Sequence, residues 1–319
     1  MSIPYRRDSL RRLTVTLDIA SAEVQSNTTS DYVILTHKVR SLLQKKAVRA
    51  RKASNCGPFS LVFCGDSGIG KTSLIHAFTE SEDFVKMDSP HSHVIPDSTN
   101  TIQEIMASTI PHMSLAYGEK QENITFVDTP GFGSFMDAMT VIQPCIEYLI
   151  QKFRETDTIF TKKTSSARLN QLFKQAGLGH VDVCLYCILH RVKSVDLEFM
   201  RVLAGHVSLV PLIVKSDTMT LEEVFALKLN ILEQLSCANI PIYGFGLGEG
   251  ELMSLARSKV GGGVPFAVST KGVDGKIAFG GECMNEIVLL RKQLFCNHVA
   301  DFRALGAERF VSWRTRYQS

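Results

Sequence analysis

The chain has 319 residues, of which 45% are hydrophobic and 21% are charged, with eight cysteines and a formal net charge of +3. No uninterrupted apolar run reaches 18 residues, so we expect no membrane-spanning helix and a cytoplasmic protein. Length and alternating strand and helix signals predict an α/β domain with a mostly parallel central sheet flanked by helices. Cys184 and Cys187 have zinc-like spacing, but a strand points them to opposite faces, which disfavours a metal site.

The chain begins with a segment of little periodicity. Residues 1–36 are rich in Ser, Thr and Asp, and we expect a mobile arm there. The next segment, 37–54, holds seven basic residues between Lys38 and Lys52 and no acidic residue between those two positions. Its apolar residues fall on one helical stripe formed by Val39, Leu42, Leu43 and Ala47.

This basic amphipathic helix has two interpretations. It attracts anionic membrane lipids through Lys38 to Lys52, or it packs as a helix on a neighbouring subunit. Nucleic acid is not expected as a partner, because no aromatic residues interleave with the basic ones.

The segment from Gly65 to Thr72 matches G-x-x-x-x-G-K-[ST] in full and follows an apolar run that predicts a buried strand. Glycines let backbone N–H groups surround an anion, Lys71 adds a cation, and the Thr72 hydroxyl is a ligand for Mg²⁺. The helix that begins near Gly70 adds its positive dipole end. The predicted phosphate-binding residues are Gly65, Asp66, Ser67, Gly68, Ile69, Gly70, Lys71, Thr72 and Ser73.

A second motif follows the next predicted strand of the sheet. Asp128-Thr129-Pro130-Gly131 matches D-x-x-G, in which Asp128 holds the Mg²⁺ hydration shell and the Gly131 N–H senses a γ-phosphate. By itself this motif is a weak signal, and it gains weight from its place after a strand.

A third motif, Lys215-Ser216-Asp217, follows the apolar strand Leu209–Val214. A carboxylate at Asp217 accepts both the N1–H and the 2-amino group of guanine. Adenine lacks both donors and would leave that charge unpaired. The three motifs in this order predict GTP and GDP as ligands, with Mg²⁺.

At these residues the chain resembles the septin family. The segments that carry the resemblance are Asp128–Gly133, Ile142–Leu149, Cys184–Leu189, Ser194–Met200, Val210–Thr220, Pro265–Val268, Leu290–Leu294 and His298–Phe302. The resemblance implies a P-loop NTPase G domain at 55–305 with a septin-like C-terminal extension. The extension, 306–319, is expected to be a helical tail without a coiled coil, since it contains no heptad repeat.

The resemblance also implies an activity and partners. A septin of this kind hydrolyses GTP slowly and assembles with itself or other septins through an interface over the nucleotide, forming cytoskeletal filaments at membrane surfaces. The alternative is a filament scaffold that is stabilised by bound nucleotide and has no significant turnover.

The sequence departs from the family pattern in the base pocket and in one loop. Residues 271–281 contain neither the Trp nor the base-contacting Arg of the family hairpin, and Thr270 replaces a base-approaching Gly. The loop His190–Lys193 is shortened. The chain is therefore identified as a divergent member.

Catalysis is assigned by the same resemblance. Phe132 follows Gly131 where a Ras-like enzyme has a water-orienting Gln, so rapid turnover is not expected. Thr101 resembles the switch Thr that contacts Mg²⁺ and water, with Thr99 as its rival. Arg191 acts across the interface or is a plain surface residue, and His190 is the other candidate for that contact. The predicted metal ligands are Thr72, Thr101 and Asp128.

Overall fold

The computed structural model describes residues 58–79, 85–86, 91–93, 102–108, 123–134, 139–161, 164–176, 179–271 and 284–318. Some of the predictions concern residues outside these ranges. They are the arm 1–36, the basic helix 37–54, Thr99, Thr101 and the hairpin region 272–281.

The described strands form one sheet. They are β1 (Phe59–Gly65), β2 (Val85–Lys86), β3 (His91–His93), β4 (Ile102–Ser108), β5 (Ile124–Asp128), β6 (Val183–Ile188), β7 (Ser208–Val214) and β8 (Phe266–Val268). Their order is β2-β4-β5-β1-β6-β7-β8, with β3 paired to β4. The pairs from β5 to β8 are parallel, and the pairs that involve β2, β3 and β4 are antiparallel. The predicted mostly parallel sheet is confirmed.

Helices cover both faces of the sheet. They are α1 (Lys71–Thr79), α2 (Met139–Asp157), α3 (Ser166–Ala176), α4 (Ser194–Ala204), α5 (Leu221–Cys237), α6 (Glu249–Arg257), α7 (Ile287–Lys292) and α8 (Val299–Gln318). A π-helical turn, Gln293–Asn297, separates the last two. None of the described helices combines the length and apolarity needed to cross a bilayer.

The alternation of side chains along β1 explains this layered arrangement. Phe59, Leu61 and Phe63 point into the core beneath α1, whereas Val62 and Cys64 point into the core beneath α2. All five side chains are almost completely buried. A strand that is apolar on both faces requires cover on both faces, which the crossover helices of parallel strands supply.

The cysteines of β6 follow the same rule. Cys184 belongs to the core on the α2 side, and Cys187 belongs to the core on the α1 side. The predicted opposite orientation of these two thiols is confirmed. Within the described ranges, no cluster of three or more His, Cys, Asp or Glu side chains is arranged to hold a metal ion.

The predicted tail is continuous with the last helix of the domain. Helix α8 runs through residue 305 without a break, so that boundary does not separate two structural elements. Phe310 packs edge-on against Phe153 of α2, with ring centroids 5.9 Å apart. The Arg314 guanidinium lies 2.7 Å from the Asp157 carboxylate at the end of α2. The tail is therefore packed against the domain along α2.

A buried ion pair joins helix α5 to the residue that precedes α7, beside strand β8. Lys228 Nζ donates to Glu286 Oε2 over 2.6 Å, and both side chains are almost completely buried. The same carboxylate accepts the N–H of Gly262 at 2.6 Å and of Ala267 at 2.7 Å. All three partners donate to the Glu286 carboxylate. Without the Lys228 ammonium, the negative charge of this buried carboxylate would be uncompensated.

Lys228→Met is therefore expected to lower the free energy of unfolding by about 3–5 kcal/mol, measured by urea denaturation. Lys259→Met is the matched control, because Lys259 pairs with Glu222 over a similar 2.6 Å but at an exposed site. The control should leave the urea midpoint unchanged. Equal effects of the two substitutions would show that the buried pair does not stabilise the fold.

Candidate functional site

A cleft of about 630 Å³ opens at the carboxyl ends of β1 and β5. Its walls come from the phosphate loop (residues 65–72), from Gln103 on β4 and from the segment Asp128–Gly131 that follows β5. Parallel strands bring their carboxyl ends to one edge of the sheet, and ligands of such folds bind at that edge. The first two predicted motifs are therefore brought together in one cleft.

The phosphate loop requires its glycines at defined positions. Gly65, Gly68 and Gly70 have φ values of 133°, 69° and 102°, a range that L side chains rarely adopt. Gly65 also approaches β6 so closely that an added Cβ would lie 2.4 Å from the Cys187 carbonyl oxygen. Lys71 is buried and donates to the carbonyl oxygens of Gly65 at 3.2 Å and Asp66 at 2.6 Å. The Lys71 ammonium is thus held by two carbonyl oxygens of its own loop.

Thr72 and Asp128 meet at the side of the cleft. The Thr72 hydroxyl donates to Asp128 Oδ2 over 2.5 Å. Burial raises the pKa of Asp128, and the hydrogen bond from Thr72 and the charge of Lys71 only partly offset it. Asp128 Oδ1 is buried and accepts no hydrogen bond from the described part of the chain. Hydroxyl and carboxylate oxygens are ligands that suit Mg²⁺, so these two residues fit the predicted ion.

The predicted base-reading residue lies in a short 3₁₀ turn, Ser216–Thr218, after β7. Asp217 Oδ1 accepts a hydrogen bond from the Ser269 hydroxyl at 2.7 Å, and its Oδ2 lies 3.0 Å from Lys271 Nζ. The hydrogen bond from Ser269, followed by that from Lys271, lowers the pKa of Asp217 below its usual value. The carboxylate is therefore ionised at neutral pH.

Lys215 connects this base motif to the phosphate loop. Its backbone is left-handed, with φ of 53°, and its ammonium donates to the Gly68 carbonyl oxygen at 3.0 Å. The first and third motifs are thereby fixed relative to each other, although 147 residues separate the bonded pair.

Phe132 points away from the cleft. Its ring is buried and packs edge-on against Phe199 of α4, with centroids 6.5 Å apart. A buried aromatic ring has no group that orients a water molecule, so this position supplies no counterpart of a catalytic Gln.

The loop after β6 lies on the other side of the phosphate loop. His190 and Arg191 are both exposed and border a second cavity of about 280 Å³ together with Asp66–Ile69. Neither residue lines the larger cleft. Within one chain, the structure therefore places the predicted trans candidates beside the phosphate loop and not in the cleft.

Three residues of the site were not predicted from the sequence. Gln103 lines the larger cleft, Ser269 bonds Asp217, and Lys193 pairs with Asp66. Ser269 had a detectable signal in the sequence, because it directly follows the predicted strand Pro265–Val268. The Lys193 pairing depends on the path of two loops and had no local signal.

This strand order, with the phosphate loop between β1 and α1, defines a P-loop nucleotide-binding α/β domain. Comparison with protein families gives the particular type. The septin family model matches residues 55–285, which is well over half of the chain. The chain belongs to the septin family, as its motifs predicted.

Individual septins are similar to this chain at about the same level. Septin-2B of Xenopus laevis is 30% identical over 198 residues, covering 58% of this chain and 49% of the relative. Cell division control protein 11 of Saccharomyces cerevisiae is 29% identical over 211 residues, covering 65% and 48%. Protein peanut of Drosophila melanogaster is 31% identical over 232 residues, covering 68% and 39%. The chain spans about half the length, or less, of these curated relatives.

Two crystal structures also match this chain. The septin GTPase domain from Chlamydomonas reinhardtii has 19% sequence identity and a TM-score of 0.49, over 81% of this chain and 98% of that one. Cdc11 from Saccharomyces cerevisiae has 23% identity and a TM-score of 0.49, over 82% and 99%.

Proposed function

We propose that this septin binds GTP and GDP with Mg²⁺, hydrolyses GTP slowly, and assembles into filaments at membrane surfaces. One observation carries the nucleotide assignment: the short segment 215–217 both bonds the phosphate loop and presents an ionised carboxylate. Lys215 bonds the loop at Gly68, and Asp217 presents its carboxylate two residues further on. This arrangement suits a ligand with phosphates at one end and a guanine base at the other.

Each residue of the cleft has a role in this proposal. Backbone N–H groups of the phosphate loop and the Lys71 ammonium bind the phosphates. Thr72 and Asp128 would hold Mg²⁺, which when bound would supply positive charge beside the phosphates. Asp217 accepts the guanine donors, and Ser269 keeps its carboxylate oriented. Thr101 remains the proposed switch ligand.

Slow turnover is supported by the burial of Phe132, which leaves that position without a water-orienting group. The proposal assigns Arg191, with His190 as the alternative, to a phosphate contact across the interface between two subunits. The scaffold without turnover is the second candidate, and the exclusion of both residues from the cleft of their own chain favours it for the isolated subunit.

Asp217→Asn is expected to weaken GTP binding by about tenfold or more. The substitution replaces a charged carboxylate oxygen, which accepts from guanine, by an amide NH₂ group, which donates. The same variant should prefer XTP, whose 2-oxo group accepts from the new amide. Competition titrations with the two nucleotides measure this preference, with Glu233→Gln as a control at an exposed ion pair. A variant that still prefers GTP would place base reading on another residue.

If Arg191 acts across an interface, specific GTPase activity should rise with protein concentration. Arg191→Ala should remove this rise and leave GTP affinity unchanged, because the side chain lies outside the cleft of its own chain. Arg257→Ala is the matched control at an exposed site. A rate that does not depend on concentration would exclude the trans role, and no turnover at any concentration would favour the scaffold.

Membrane association is proposed through Lys38 to Lys52. Binding to vesicles should require anionic lipid, and it should weaken as added salt shortens the Debye length below about 10 Å. Neutralising Lys45, Lys46, Arg49, Arg51 and Lys52 together should reduce it to the residual affinity of the apolar stripe. A neutralised protein that keeps vesicle binding but loses filaments would identify the segment as a subunit contact.

A further inference from the structure

The segment that follows β5 lies directly on the phosphate loop. A Cβ added to Gly131 would be 2.3 Å from both the Cα and the N of Ser67. A Cβ added to Gly133 would be 1.9 Å from Asp66 Oδ1. The backbone of this segment, 131–133, is therefore in contact with the loop, with no space for another group between them.

One carboxylate holds this contact together. Asp66 Oδ1 accepts the Ser67 N–H at 2.7 Å, and the Gly133 N–H also bonds this carboxylate. Asp66 Oδ2 pairs with the Lys193 ammonium from the loop after β6. Burial raises the pKa of Asp66, but these hydrogen bonds outweigh it, and the pKa lies below its usual value. Two segments distant in sequence, 131–133 and the loop after β6, thus converge on one ionised side chain of the phosphate loop.

This contact bears on how many phosphates the cleft accepts. The D-x-x-G motif predicts that the Gly131 N–H senses the γ-phosphate of a bound triphosphate, so that phosphate would lie between Gly131 and the phosphate loop. The backbone of Gly131 instead touches Ser67. A third phosphate requires Gly131 to withdraw, which strains the Gly133 hydrogen bond to Asp66 two residues on. A nucleotide with two phosphates requires neither the withdrawal of Gly131 nor the strain on the Gly133 hydrogen bond.

We propose that Asp66 is a specificity-determining residue that favours GDP over GTP by holding the segment 131–133 against the phosphate loop. Lys193 supports this contact, because its ion pair with Asp66 Oδ2 orients the carboxylate. The inference rests on the proposed guanine-nucleotide binding and goes beyond it, because it assigns the preference between two nucleotides to one side chain.

The test compares the affinities of GDP and of a non-hydrolysable GTP analogue, both measured by calorimetry on the full chain. Asp66→Ala removes the charged acceptor, so the preference for GDP over the analogue should fall about tenfold. Lys193→Met removes a partly exposed ion pair and should lower the preference about twofold to fivefold. Should Asp66→Ala fail to fold, Asp66→Asn keeps an acceptor oxygen and should lower the preference about threefold.

Two matched controls at exposed ion pairs, Lys259→Met and Glu233→Gln, should leave the preference unchanged. An unchanged preference in a folded Asp66 variant would overturn the inference. So would an equal loss of affinity for both nucleotides, because Asp66 would then only support the loop. Failure of the unaltered chain to bind either nucleotide would instead overturn the proposed function, and with it the role assigned to Asp66.

Discussion

The close approach of Gly65 to the Cys187 carbonyl oxygen is the constraint on which the site depends. Strand β1 pairs with β5 on one side and β6 on the other, and Gly65 is its last residue. Because no side chain separates Gly65 from β6, the chain turns sharply at the edge of the sheet. The phosphate loop therefore begins where the segments after β5 and β6 also begin, and all three lie within contact distance.

The charges of the site follow from this crowding. Lys71 is directed to carbonyl oxygens of its own loop, Lys215 bonds the loop from the side of β7, and Lys193 pairs with Asp66. The carboxylates of the second and third motifs differ, because burial raises the pKa of Asp128 while hydrogen bonds lower the pKa of Asp217. A cation bound beside Asp128 would offset the cost of burying its carboxylate and would favour the ionised form.

Much of this could be predicted from the sequence, because each of the three motifs is a short local pattern at the end of an apolar strand. Lys71, Asp128 and Asp217 could each be placed at the carboxyl end of a strand, and parallel pairing then brings these ends to one edge. The Asp66 to Lys193 pair could not be predicted, since it joins residues 127 apart through two irregular loops. The catalytic assignments to Thr101 and Arg191 rest on family resemblance. Thr101 lies outside the described residues, and the trans role of Arg191 depends on a second subunit.

The C-terminal helix has a consequence for how the chain loses its structure. Phe310 and Trp313 cover Phe153, and Arg314 pairs with Asp157 while donating to the Thr161 carbonyl oxygen at 2.9 Å. Helix α2, which these residues cover, also packs through Cys145 against Cys64 of β1, with the two sulfurs 3.6 Å apart. Cutting the chain inside α8 would uncover an aromatic surface one helix away from the strand that carries the phosphate loop. The tail is therefore joined to the phosphate-loop strand through helix α2, and we expect loss of the tail to destabilise the site as well.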